Sequence, residues 1–122
     1  MSWNPNAASN YARQNAMSSS HSLCATYVRH ALHAGAVDIC GIQYAKDYGP
    51  ALERNGFIVL GSGQTLKAGD VIVIQPYPGG NSSGHIAIYD GNNWYSDFRQ
   101  RDIWAGPGYR ASKPPQKIYR RN

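Results

Sequence analysis

The order of its residues predicts an α+β fold for this chain, on three observations. Helical patterning fills the first half, as far as Asn55-Gly56. Short β-branched runs divided by turn residues fill the second half, and the hairpin signal Asp90-Gly-Asn-Asn93 joins two of them antiparallel. Helices first and strands second imply N-terminal helices packed on one small antiparallel sheet. At 122 residues there is surface enough for one core. Residues 1–122 are therefore read as a single domain, with the basic segment 111–122 completing it.

The elements follow in chain order. Ala7 to Ala16 carries good helix formers behind Asn4-Pro5-Asn6, which offers a cap and a first-turn proline. Ser18-Ser-Ser-His-Ser22 then breaks the pattern and supplies caps for the next helix. From Cys24, the residues Tyr27, Val28, Ala31 and Leu32 recur at helical spacing, and Gly35 stands where a left-handed residue would end the helix. Cys24 thus falls in a first turn, on the inward stripe of Val28 and Ala31. Tyr44 to Asn55 reads as a third helix, interrupted near Gly49-Pro50. Strands are expected at Phe57–Leu60, Val71–Gln75, Gly84–Tyr89 and Trp94–Phe98, with a polar loop from Pro76 to Ser83. Beyond Arg99 the chain reads as turns, at Gly106-Pro-Gly108 and Pro114-Pro115, until a last short strand at Ile118-Tyr-Arg120.

Composition narrows the class of protein. Hydrophobic residues are 42% and charged ones 16%, as in folded domains and unlike disordered chains. No apolar run approaches 18 residues, so no membrane span is expected. The start, Met-Ser-Trp-Asn-Pro-Asn, has neither the basic nor the apolar part of a signal peptide, which predicts a soluble protein that leaves its cell, if at all, by another route. A formal charge of +5 favours anionic partners, among which peptidoglycan, nucleic acid and lipid surfaces all qualify. Cys24 and Cys40 lack zinc spacing and are read as independent thiols. A metal set of His21, Cys24 and His85, or of His30 and His33, matches no zinc pattern, so neither metal nor cofactor is expected, and His30 with His33 reads as a solvated helix face.

Three residues carry candidate chemistry. A thiol at a helix N-terminus feels the positive end of the macrodipole, which is expected to lower its pKa from about 8.5 toward neutrality. Position alone also allows Cys24 to be a small buried hydrophobe. His85 opens a strand just after a Gly-rich loop, where it could take a thiol proton or simply be structural. The hairpin adds Asp97: if Ile86 and Ile88 meet Trp94 and Phe98 on the core side, a three-residue turn at Gly91-Asn-Asn93 puts Asp97 on the face of His85. Asp97 would then hold the imidazole as a third triad member, unless it belongs to a solvated surface pair. Tyr89 and Tyr95 share that expected face and are groove candidates, whereas Tyr27 and Tyr48 read as structural.

The series Ser22-Leu-Cys24-Ala-Thr-Tyr-Val28, Leu66-Lys-Ala-Gly-Asp-Val71, Gly84-His85-Ile-Ala-Ile88 and Trp94-Tyr-Ser-Asp97 resembles the CHAP and NlpC-type papain-like cysteine amidases over roughly Tyr11 to Phe98. The resemblance implies a papain-like fold, with Cys24 as nucleophile, His85 as general base and Asp97 as orienting residue, where family members commonly carry His, Asn or Glu. It implies hydrolysis of peptide bonds in bacterial peptidoglycan, with stem peptides as substrate. The Cys24 backbone N–H would give one oxyanion contact, and His21 or the substrate-side Ser22 are candidates for the second. Small size and the missing signal also resemble amidase effectors delivered by type VI secretion into a rival's periplasm, which implies an antibacterial toxin, a cognate immunity protein as partner and a monomer. The competing class is a non-enzymatic basic module whose Lys113, Lys117, Arg120 and Arg121 grip nucleic acid; the plainer reading of those residues is a solvated tail, and no nucleic-acid partner is expected.

Overall fold

In the computed structural model, which describes residues 3–19, 23–61 and 63–122, the first helix starts at a proline. Helix α1 spans Pro5–Asn15, and the Asn4 side chain caps it by accepting the Ala7 N–H at 2.9 Å. Ala8 and Ala12 are buried where α1 packs on α2 (Cys24–Ala34), which buries Val28, Ala31 and Leu32. The end of α2 departs from expectation. Gly35 has φ −87°, and the left-handed residue is Ala36 at φ 75°. There the N–H groups of Ala36 and Val37 return to the carbonyls of His33 and Leu32 at 2.9 Å each. Gly35 is glycine because of close packing: a Cβ would sit 2.6 Å from the Trp3 ring and 2.8 Å from the Asn4 carbonyl oxygen.

The third helical region divides as its Gly-Pro pair suggests, into a single 3₁₀ turn at Ala45–Asp47 and α3 at Tyr48–Arg54. A five-stranded antiparallel sheet follows, formed by β1 (Ile58–Val59), β2 (Val71–Ile74), β3 (His85–Tyr89), β4 (Trp94–Tyr95) and β5 (Gln116–Arg120), in the order β1-β5-β2-β3-β4. The basic C-terminal segment is therefore an inner strand of the sheet. Arg120 turns back onto Asp70, with Nε to Oδ1 at 2.8 Å and Nη2 to Oδ2 at 2.7 Å, and is committed to the fold.

Both faces of the sheet are covered. Val71, Val73, Ile86, Ile88, Tyr95 and Tyr119 pack toward the helices. Ile72, Ile74, Ala87 and Trp94 pack on the other side beneath a short helix, α4 (Pro107–Ser112), where the sequence had suggested only a turn. This overturns the parity argument for the hairpin, which assumed one apolar face and one polar face. The pairs are Ile88 with Tyr95 and Tyr89 with Trp94, so four residues form the loop. Its closure comes from Asp90, whose carboxylate accepts the N–H groups of Asn92 and Asn93 at 2.8 and 2.7 Å. Strand β4 also stops at Tyr95 rather than Phe98. The chain reverses through Ser96–Phe98, Tyr95 bridges Arg99, and the Gln100 N–H reaches the Trp94 carbonyl at 2.8 Å. None of the described helices is long and apolar enough to cross a membrane.

Candidate active site

Helix α2 and strand β3 bring Cys24 and His85 to the wall of one cleft of about 370 Å³, shared with Tyr77 and Tyr109. Gly84 makes the approach possible. It has φ 71°, and a Cβ there would lie 2.5 Å from the Ile74 carbonyl oxygen, so the strand can open tight against its neighbour only with glycine before the histidine. Half-buried Cys24 turns its sulfur toward the backbone N–H of Ile86, the residue after His85.

His85 is buried, and its Nε2 lies 2.6 Å from Oε1 of Gln100. The Gln100 amide nitrogen is used elsewhere, donating to the carbonyls of Asp102 at 3.1 Å and Ile103 at 3.5 Å. Oε1 can only accept, so the network assigns the ring proton to Nε2 and leaves the lone pair on Nδ1. An imidazole held in that tautomer can accept a proton at Nδ1.

The electrostatics differ from the sequence expectation. Burial pushes the Cys24 thiol up, an effect opposed by the N–H groups of Ile86, Ala25 and Cys24 and reinforced by the charge of Asp97. The helix N-terminus is therefore outweighed by desolvation. Burial pushes His85 down, against the Gln100 hydrogen bond and the Asp97 charge, which both favour the imidazolium. Both shifts favour the neutral thiol and the neutral imidazole.

Asp97 takes a different place from the one the hairpin argument gave it. It is fully buried, and its Oδ2 accepts the N–H of Leu23, the residue capping α2, at 3.0 Å. Its carbonyl accepts the Met17 N–H at 2.8 Å. A carboxylate at a helix N-terminus is favourable, and here it seats the helix that carries Cys24. The His85 ring nitrogen Nε2 is held by Gln100 instead, because the reversal at Ser96–Phe98 carries Gln100 back beside Trp94.

The tyrosines are also reassigned. Tyr95 lies in the helix-side core, and Tyr89 packs against Trp94 with ring centroids 5.0 Å apart; neither lines the cleft. Tyr77 and Tyr109 do. Ser22 and His21 lie outside the described residues. Cys40 is exposed and both thiols are free. His30 and His33 lie on the exposed side of α2, where His33 pairs with Asp38. Among the described residues, no group of three or more His, Cys, Asp or Glu is arranged so that it could hold a metal ion.

Sequence reading missed Gln100 and Tyr109. Gln100 sits between two arginines just past an apparent strand, and only the chain reversal reveals its partner. Tyr109 lies in Gly106-Pro-Gly-Tyr109, where the turn signal concealed a helical start with proline in its first turn.

Fold and site together define a small α+β protein with a thiol and an oriented imidazole in one cleft. Two solved structures are similar to it. One is the native type VI effector–immunity complex Tae3–Tai3 from Ralstonia pickettii, 45% identical, covering 98% of this chain and 100% of that one, with a TM-score of 0.91. The other is the selenomethionine form of that complex, 46% identical, covering 93% and 98%, with a TM-score of 0.87. No family model matches the chain, and no curated protein matches it. At this identity and coverage the chain belongs to the Tae3 family of type VI effectors.

Proposed function

We propose that the chain is a papain-like cysteine amidase of the CHAP and NlpC kind that hydrolyses peptide bonds of bacterial peptidoglycan. One observation carries the reading: Cys24 and His85 line one cleft, with His85 Nε2 bound to Gln100 so that Nδ1 is the free base. Cys24 is the nucleophile, His85 the general base and Gln100 the orienting residue. Asp97 is a positioning residue for the cysteine helix.

His85 Nδ1 takes the thiol proton as Cys24 Sγ attacks the amide carbonyl carbon. The carbonyl π pair moves to oxygen, where the Cys24 backbone N–H meets it. Collapse breaks the C–N bond, and the amine leaves with the proton from His85. Water, deprotonated by the same nitrogen, then cleaves the thioester and restores the thiol.

The substrate class draws on the type VI effector relatives and on the formal charge of +5, which suits the anionic wall. Residues 1–122 act as one catalytic domain and a monomer, delivered by type VI secretion into the periplasm of a target bacterium. A cognate immunity protein is the partner, as the relatives' effector–immunity complexes suggest. Digestion of purified peptidoglycan with wild-type protein and Cys24→Ala, followed by mass analysis of released fragments, tests the reading. Fragments from wild type alone support it, and equal digestion by both sinks it.

A further inference from the structure

The Tyr109 hydroxyl is buried, yet it has no hydrogen-bond partner among the described residues. The residue as a whole is only 8% exposed. Buried tyrosine hydroxyls ordinarily find a partner, so an unmet donor on a residue that lines the same cleft as a thiol and an imidazole stands out. The residue that carries it lines the cleft that holds Cys24 and His85.

Its position is rigidly set. Tyr109 is the third residue of α4, and its carbonyl accepts the Lys113 N–H at 2.8 Å, closing the helix. Its ring stands edge-on to Tyr77 with centroids 4.9 Å apart, and tilted to the His85 imidazole at 5.8 Å. Tyr77 in turn seats against Gly108, where a Cβ would lie 1.8 Å from the Tyr77 hydroxyl. Burial pushes the Tyr109 phenol up to about 12, and the next cause is the charge of Cys24, so the hydroxyl keeps its proton and senses the sulfur.

A thiol attacking an amide needs more than one donor for the oxygen that becomes negative, and the Cys24 N–H supplies one. Gln43, Thr26 and Asn81 also line the cleft but are exposed, where water competes for them. A fixed, dehydrated donor stabilises developing charge far better, because it needs no reorganisation when the charge appears.

We infer that Tyr109 is the second oxyanion donor, its O–H bonding the carbonyl oxygen of the substrate amide as Cys24 Sγ adds to the carbon. The inference rests on the reading of Cys24 as nucleophile. As the C–S bond forms, the π pair of C=O becomes a lone pair on that oxygen, which accepts from Tyr109 Oη and the Cys24 N–H. Collapse of the intermediate returns the pair to C=O and releases both bonds, with Tyr109 keeping its proton throughout.

The test compares wild type, Tyr109→Phe and Cys24→Ala on soluble peptidoglycan stem peptides, with alkylation of Cys24 by iodoacetamide as a second readout. Alkylation involves no oxyanion. The expected result for Tyr109→Phe is a fall in kcat of about 10²- to 10³-fold, with KM and the alkylation rate close to wild type. Full kcat in Tyr109→Phe while Cys24→Ala is inactive overturns this inference alone, and so does an alkylation rate that falls in step with kcat. Full activity in Cys24→Ala overturns the nucleophile reading instead. Should Tyr109→Phe not fold, 3,5-difluorotyrosine at position 109 keeps ring and hydroxyl but ionises at lower pH. Activity should then be lost at a lower alkaline pH than in wild type, and an unmoved alkaline limb overturns the inference.

Discussion

The Gln100 side chain holds the His85 imidazole by a 2.6 Å contact while its own amide nitrogen is tied to the carbonyls of Asp102 and Ile103. Gln100 therefore cannot rotate to offer a donor, and the histidine cannot place its proton on Nδ1 without losing the bond. If His85 acts as the proposed general base, this positioning serves a step worth about 10²- to 10⁴-fold in rate. Gln100→Leu should remove part of that, lowering kcat about 10- to 100-fold with Cys24 still alkylated to completion. Gln100→Glu should keep the tautomer but add a charge, raising the His85 pKa by about 1 to 3 units and moving the acidic limb of the rate profile upward by as much. An unchanged limb in Gln100→Glu contradicts the contact.

The two shifts at Cys24 and His85 make a pH prediction. Burial lowers the His85 pKa from its ordinary 6.5, so the base stays unprotonated as pH falls through 6.5, and kcat/KM should fall only below that point. Burial raises the Cys24 pKa from its ordinary 9.0, so the thiol is protonated at neutral pH and its alkylation rate should still be rising as pH passes 9. A plateau of alkylation reached already near pH 5 would mean a thiolate–imidazolium pair instead.

Asp97 separates a helix-seating role from a triad role. Its charge is one of the causes that raise the Cys24 pKa, so Asp97→Asn should lower that pKa and speed alkylation at fixed pH. Asp97→Ala should also cost about 1.5 to 3 kcal/mol of stability, since the Leu23 N–H loses a charged acceptor at the start of α2. Urea denaturation measures the second effect. A triad role predicts the reverse, a large loss of kcat with stability intact.

The Asp70–Arg120 pair ties the last strand to the turn before β2, with side chains 1% and 11% exposed. Arg120→Met should leave a buried carboxylate uncompensated and cost about 3 to 5 kcal/mol in urea denaturation. Adding Asp70→Asn should recover part of it. A cost below about 1 kcal/mol would show that the pair behaves as a solvated surface bridge.

Much of this architecture was legible in the sequence because local signals decided it. Asn4-Pro5 started α1, Asn55-Gly56 ended α3, and the run before Gly35 placed Cys24 at a helix start. Gly84-His85 marked the strand that faces the thiol. What local signals could not carry was register. Alternation identifies faces only when one is solvated, and here Ile72, Ile74, Ala87 and Trp94 bury the side assumed to be polar. Asp90, by satisfying two backbone N–H groups, lengthened the loop by one residue and exchanged the faces of Trp94 and Tyr95. The partner of His85 then depended on a chain reversal that no short-range pattern announces. The thiol departs from its local signal for a related reason, since helix position is local and the burial that raises its pKa is not.

On the proposed mechanism Cys24 forms a covalent acyl intermediate with a peptidoglycan amide, and mass spectrometry of the protein acid-quenched during turnover of stem peptides would detect it. The expected result is a mass increase equal to the acyl half of the substrate, mapped to the peptide containing Cys24 and lost in Cys24→Ala. Turnover by Cys24→Ala at the wild-type rate, or an adduct mapped to another residue, would contradict it.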